Sequence, residues 1–218
     1  MRVIARGVFL AILLVTLSAR LASSSTIYTD LGPGDTYSTA SFLTVSGGLS
    51  PGAYHYDWAM AFTAPGDYTL DAIRLAVGLV SGTPADLNVA FAANGGGLPG
   101  TILEAWTLGS IGPINGPLTT AASVLHPLLA AGATYWVLAD APVTSSAIFQ
   151  WNASLSAWGF HAMRYNEGSW TNSSETPFGA FDVQGTPAVP EPATLVLLGS
   201  GAAALAWQRR RSSRLPKA

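Results

Sequence analysis

The chain has 218 residues, a formal net charge of −2 and no cysteine, so disulfide bonds and thiolate chemistry are excluded. Eight of its ten basic residues lie in the first 20 or the last 10 positions, which leaves residues 25–188 with eleven acidic and two basic residues, a net charge of −9. Such an acidic body repels phosphate backbones and argues against nucleic-acid binding.

The N-terminus, MRVIARGVFLAILLVTLSARLASSS, has the three parts of a secretory signal peptide. Arg2 and Arg6 precede an apolar run over residues 8–17, and small residues follow. The run is shorter than the roughly 20 residues that a membrane-spanning helix needs. We predict a signal peptide over residues 1–24, cleaved between Ala22 and Ser25, and therefore export of the protein.

Residues 25–188 show apolar side chains at every second position, which indicates half-buried strands. Ile73, Leu75, Val77 and Leu79 form the longest such series. Turn sequences rich in Gly, Pro, Asn and Asp separate the series. Strands are predicted over 57–63, 69–80, 86–92, 101–108, 134–140, 146–151, 158–165 and 178–184, with a first edge strand within 26–50.

Many short strands without a helical stripe predict an all-β fold, a single antiparallel β-sandwich or jelly-roll-like domain over residues 25–188. Large apolar side chains usually fill the interior. The predicted core therefore includes four tryptophans, Trp58, Trp106, Trp136 and Trp151.

Candidate catalytic and metal-binding residues are few in this body. His55 and Asp57 share one face of a strand and form either an ion pair or half of a metal site, which needs three or four ligands. Calcium bound by turn carboxylates is a further alternative, with Asp30, Asp35, Asp67 and Asp71 as the candidates.

The sequence has no pattern that assembles the catalytic residues of a hydrolase. The chain has no Gly-x-Ser-x-Gly motif. Glycoside hydrolysis needs two carboxyl groups facing each other across a cleft, and no spacing brings such a pair together from Glu104, Glu167, Glu175 and Asp182. We predict a protein that is not an enzyme and has no cofactor, and a secreted hydrolase is kept as an alternative.

Aromatic residues of the last third suggest a ligand face. Trp158, Tyr165, Trp170 and Asn172 combine flat rings with an amide, the combination that stacks on sugar rings and binds their hydroxyl groups. A carbohydrate-binding, lectin-like module is therefore a second alternative.

The C-terminus, residues 189–218, has three distinct parts. Val189, Pro190, Glu191 and Pro192 form an extended start, because the prolines prevent a helix from continuing back into the domain. Residues 193–207 are an apolar segment that would reach about 22 Å as a helix, less than the roughly 30 Å hydrocarbon core, and they are predicted as a short transmembrane helix. Three arginines, Arg209, Arg210 and Arg211, follow it and would stop transfer on the cytoplasmic side.

These three parts, in this order, resemble the PEP-CTERM sorting signal of Gram-negative bacteria. The resemblance implies that an exosortase, a membrane enzyme, recognises the Pro-Glu-Pro motif and removes the tail. It also implies an exported protein whose gene accompanies an exopolysaccharide system. The segments AFTAPGDYTLDAIRLAVGL, NVAFAANGGGLPGTIL and LLAAGATYWVLAD are similar to choice-of-anchor extracellular domains, and no functional residue is carried over from them.

Together these features predict an exported, non-catalytic bacterial surface or extracellular-matrix protein. Its precursor would be held at the inner membrane by the C-terminal helix, and exosortase would then release it into the cell envelope. Exopolysaccharide is the predicted matrix partner.

Overall fold

The computed structural model describes residues 23–52, 54–155, 159, 161–173, 178–188 and 201. Within the described part of residues 23–188, all regular secondary structure is β. The strands are β1 Ser25–Thr29, β2 Phe42–Ser46, β3 Tyr56–Thr63, β4 Tyr68–Leu75, β5 Val77–Ser81, β6 Leu87–Asn94, β7 Pro99–Leu108, β8 Thr119–Ala122, β9 Leu128–Leu129, β10 Thr134–Asp140, β11 Ile148–Asn152, β12 His161–Tyr165, β13 Thr171–Ser173 and β14 Phe181–Pro187.

These strands form two antiparallel sheets. The smaller sheet has five strands in the order β1-β14-β4-β8, with β9 also paired to β4. The larger sheet has nine strands in the order β5-β11-β2-β3-β10-β6-β7, and β12 pairs with both β3 and β13. The predicted all-β class and antiparallel sandwich-like architecture are therefore confirmed.

The main hydrophobic core collects the apolar side chains of both sheets. Aromatic contacts cross between them: Tyr28 and Phe181 of the smaller sheet both lie against Phe62 of the larger one, at ring-centroid distances of 5.3 and 6.2 Å. Trp58 and Trp151 are buried in this core as predicted. Trp106 is half-buried at its margin, whereas Trp136 is buried in a second, smaller cluster.

The strand predicted over residues 69–80 is wrong in one respect, because it is two strands in different sheets. β4 belongs to the smaller sheet and β5 to the larger, and Ala76 lies between them. The Ala76 N–H donates to Ala180, and its carbonyl accepts from Asn152. Both sheets turn their apolar faces to one core, so the alternation continues unbroken while the chain changes sheet.

Other differences concern short or irregular strands. The single edge strand expected within 26–50 is two strands, β1 and β2, of different sheets. β8, β9 and β13 have two to four residues each, too few for an alternation to be recognised. The last predicted strand, 178–184, begins three residues later, at Phe181.

The chain divides into two units, Met1–Pro187 and Ala188–Ala218. The predicted signal peptide and C-terminal segment lie outside the described residues, except for Ser23, Ser24 and Gly201. Among the residues that the structure describes, no helix combines the length and apolarity needed to cross a bilayer.

Candidate functional site

A groove with a volume of about 530 Å³ lies on the face of the larger sheet that points away from the main core. Its floor is formed by Leu138 of β10, Ala90 of β6 and Ala105 of β7, which are in register across three strands. The same row continues through Ala59 of β3 and Ala162 of β12, which are fully buried beyond the groove. Two of the three floor side chains are methyl groups, so the floor is low compared with its walls.

A row of polar side chains forms one wall of the groove. Arg164 of β12 is paired with Asp57 of β3, and Asp140 of β10 is paired with Asn88 of β6. Thr107 of β7 continues the row and donates a hydrogen bond from Oγ1 to Asn88 Oδ1 at 3.0 Å. The row therefore places a guanidinium group, carboxylates, an amide and a hydroxyl along one line.

Trp170, in the segment just before β13, is the aromatic side chain at the β12 end of the groove. Its ring packs on the small cluster that contains Trp136 and Leu138. The guanidinium carbon of Arg164 lies 5.0 Å from the centre of the Trp170 ring, a cation–π contact. This contact holds the half-buried indole beside the polar row.

Four charged or titratable groups converge at the end of the polar row. His55 Nε2 lies 3.0 Å from Asp57 Oδ1, 3.0 Å from Asp140 Oδ1 and 2.9 Å from the carbonyl oxygen of Ala141. Arg164 Nε donates to Asp57 Oδ2 at 2.6 Å, and Arg164 Nη2 lies 3.7 Å from Asp140 Oδ2. Each carboxylate thus turns one oxygen to the guanidinium and the other to the imidazole.

Asp57 is completely buried in this cluster, whereas Asp140 is 29% exposed and lines the groove. Burial raises the pKa of Asp57 to about 7, and the neighbouring Asp140 carboxyl contributes to the rise. The Arg164 guanidinium opposes that rise. Among the described residues, this is the one group in which three metal-ligating side chains face one another.

The predicted ligand face is divided by the structure. Trp170 lines the groove, but Tyr165 lies in a cluster with Tyr54 and Tyr56, at ring-centroid distances of 5.9 and 5.3 Å. Asn172 is exposed on β13, paired with Ala162. Trp158 lies outside the described residues, as do Val189, Pro190, Glu191, Pro192, Arg209, Arg210 and Arg211.

Two of the four carboxylates considered for hydrolysis, Glu104 and Asp182, have structural partners, and Glu175 lies outside the described residues. Glu104 accepts hydrogen bonds from Ser123 Oγ at 2.6 Å and from the Val124 and Leu125 N–H groups at 2.6 and 3.0 Å. Burial acts to raise the pKa of Glu104, but these hydrogen bonds outweigh it and the pKa is lowered. Asp182 is buried and paired with Arg74.

The turn carboxylates considered for calcium are also engaged in separate contacts. Asp35 pairs with Arg74, and Asp67 accepts the Ala131 N–H at 2.8 Å. Asp71 accepts from Thr186, and Asp30 from the Phe181 N–H. The four carboxylates do not form one group in the described part of the chain.

The sequence brings His55 and Asp57 together but does not place Asp140 or Arg164 beside them. These residues are separated from Asp57 by 83 and 107 positions and reach it only through the pairing of β3 with β10 and β12. The available signal was their place in the alternation, because Asp140 and Arg164 occupy positions opposite the core-facing residues of their strands. The alternation shows which face of the sheet a side chain lies on, but it does not show which residues of other strands lie beside it.

Comparison with known families identifies the C-terminal segment. Residues 188–211 match the family described as the PEP-CTERM protein-sorting motif. No curated protein matches the chain. The motif marks an exported protein that an exosortase sorts, which confirms the resemblance drawn from the Pro-Glu-Pro segment.

Proposed function

We propose that this exported protein is a non-catalytic component of the extracellular matrix that binds polysaccharide in the groove of its larger sheet. Its precursor would be anchored by the C-terminal segment until exosortase processing. The observation that carries the proposal is the groove, which combines the Trp170 indole with the polar row of Arg164, Asp140, Asn88 and Thr107.

The chemistry of this groove suits a sugar chain. A pyranose ring has an apolar face of C–H groups and a rim of hydroxyl groups, so it needs a flat apolar surface with polar groups beside it. Ala90 and Ala105 leave room for such a ring, and the half-buried Trp170 adds an aromatic side chain to the same groove. The polar row offers both donors and acceptors to the hydroxyl groups.

The charge of the domain favours a neutral polysaccharide. Residues 25–188 carry a net charge of −9, and the Arg164 guanidinium is already paired with a buried carboxylate. The negative charge of the domain would repel a polyanionic polysaccharide but not an uncharged one.

Carboxylate geometry supports a role in binding rather than in hydrolysis. Glycosidases place their two carboxyl groups about 5 to 9.5 Å apart, with both reaching the substrate. Asp57 Oδ1 and Asp140 Oδ1 lie within 4.8 Å of each other, and both face the same nitrogen, His55 Nε2. Asp57 is also fully buried, so only Asp140 can contact a ligand in the groove.

The proposal is tested by titrating the secreted protein with neutral and acidic exopolysaccharides in a calorimeter. We expect saturable binding of a neutral polymer, and about tenfold weaker binding by Trp170→Ala, which corresponds to about 1.4 kcal/mol. Asn88→Ala should weaken binding as well. Leu128→Ala, an exposed apolar residue on the smaller sheet, is the matched control.

Two results would contradict the proposal. One is the absence of binding to any neutral polymer by the folded wild-type protein. The other is an affinity that stays unchanged in both Trp170→Ala and Asn88→Ala, since the groove would then not be the binding surface.

A further inference from the structure

We propose that His55 Nε2, Asp57 Oδ1, Asp140 Oδ1 and the Ala141 carbonyl oxygen bind a divalent first-row metal ion such as Zn²⁺. The four atoms come from the residue before β3, the start of β3, the end of β10 and the residue after β10. The site lies at the end of the polar row, where Asp140 also lines the groove, and it does not depend on what the groove binds.

Oxygen atoms crowd around one nitrogen at this site. Three oxygens lie 2.9–3.0 Å from His55 Nε2. A single Nε2–H can point well at one of them, so hydrogen bonding leaves the others facing the nitrogen without a proton between them. A cation at the centre would satisfy all four atoms together.

The spacing also fits metal coordination. Bonds of about 2.1 Å that meet at right angles separate two ligand atoms by about 3.0 Å. The three distances from Nε2 have this length. In a tetrahedral arrangement the ligand atoms would lie about 3.4 Å apart, so the oxygens would need to move away from Nε2 by about 0.4 Å.

A second, independent observation is an unpartnered carboxylate oxygen. Asp57 is fully buried, and its Oδ1 has no hydrogen-bond partner among the described residues, although it points at His55 Nε2. Buried charged oxygens are normally paired or bound to a metal. A metal ion at this point would bind Asp57 Oδ1 directly, whereas at present this oxygen only lies 3.0 Å from His55 Nε2 without a hydrogen bond.

Arg164 acts as the outer support of this site. Its guanidinium takes Asp57 Oδ2 and lies beside Asp140 Oδ2, so the two Oδ1 atoms remain turned toward His55. Hydrogen bonds that orient metal-binding carboxylates in this way are a regular feature of metal centres. Metal binding requires a neutral imidazole and ionised carboxylates, and in that state the two carboxylates and one guanidinium leave a net charge of −1 for the ion to balance.

The ligand set selects the kind of ion. Calcium and magnesium prefer oxygen ligands alone, whereas imidazole nitrogen together with carboxylate suits zinc and related metals. The site therefore differs in both place and chemistry from the turn carboxylates considered for calcium.

The test begins with the secreted protein stripped of metal by a chelator and then titrated with Zn²⁺ in a calorimeter. We expect one Zn²⁺ per chain, and a melting temperature that rises with zinc concentration. His55→Ala and Asp140→Asn should each weaken zinc binding at least tenfold. His126→Ala and Asp67→Asn remove an exposed histidine and an exposed carboxylate elsewhere and should bind zinc as the wild type does.

The wild-type titration alone decides the proposal even where a variant fails to fold. Folded wild-type protein that binds no Zn²⁺ up to millimolar concentration would overturn it, and so would binding of Ca²⁺ in place of Zn²⁺. Undiminished zinc binding by a folded His55→Ala or Asp140→Asn protein would overturn it as well, because the ion would then lie elsewhere.

Discussion

Replacing Asp30 by asparagine should remove part of the pH dependence of folding stability. Asp30 follows β1 and is buried, with Oδ1 accepting the Phe181 N–H at 2.7 Å. Its Oδ2 has no hydrogen-bond partner among the described residues. Burial raises the pKa of Asp30 to about 7, the backbone N–H groups of Phe181 and Asp30 oppose the rise, and the nearby Asp182 adds to it.

The sign of the effect follows from proton uptake. The folded state holds a proton on Asp30 up to about pH 7, whereas the ordinary pKa is 3.8. Between these values the folded protein binds more protons than the unfolded protein, so stability falls as pH rises. The contribution of Asp30 to folding stability is therefore complete below about pH 4 and is lost as the pH rises through about 7. Three pKa units correspond to at most about 4 kcal/mol.

The assay is urea denaturation of wild type and Asp30→Asn between pH 4 and pH 8, followed by tryptophan fluorescence. We expect the free energy of unfolding of the variant to rise relative to wild type by several kcal/mol across this range, with the variant more stable at pH 8. Asp67→Asn, an exposed carboxylate, controls for the loss of one charge. Parallel curves for wild type and Asp30→Asn from pH 4 to pH 8 would refute the reasoning.

Two further predictions concern the core and the sorting segment. Trp151 is fully buried in the larger sheet, donates from Nε1 to Ala180 and meets Phe181 of the smaller sheet edge-on at 6.5 Å. Trp151→Ala should therefore lower the free energy of unfolding, measured by urea denaturation, by about 3–5 kcal/mol. The control, Val80→Ala at an exposed position, should lower it by less than about 0.5 kcal/mol. A loss below about 1 kcal/mol for Trp151→Ala would show that the indole does not join the sheets. Intact-mass measurement should find mature protein without the residues after the Pro-Glu-Pro motif, and Arg209–Arg211 retained in cells with active exosortase would contradict the sorting prediction.

Strand positions followed from the sequence because burial on one side of a sheet imposes a period of two. The strands around Phe62, Phe91 and Val137 were predicted within a few residues. The change of sheet at Ala76 was not, because the alternation reports only which side chains face the core. Which sheet a strand joins depends on pairing with distant strands, and no local pattern contains that information.

The candidate site was predictable only where it is local. His55 and Asp57 are two positions apart where β3 begins, His55 just before the strand and Asp57 in it, so a shared face could be deduced. Asp140 and Arg164 required the register of three strands. Trp170 and Tyr165 were grouped because they are close in the sequence. Tyr165 directly follows Arg164 on β12, so its side chain points to the opposite face of the sheet, where it contacts Tyr54 and Tyr56.

β14 has a consequence for the timing of folding. It is the last described strand before the sorting motif, yet it lies inside the smaller sheet, between β1 and β4. β1, the first described strand of the chain, has β14 as its sheet partner, through pairs such as Ser25 with Gly185. The smaller sheet can therefore close only once the chain as far as Pro187 is available, so the fold is completed by the residues directly before the sorting motif.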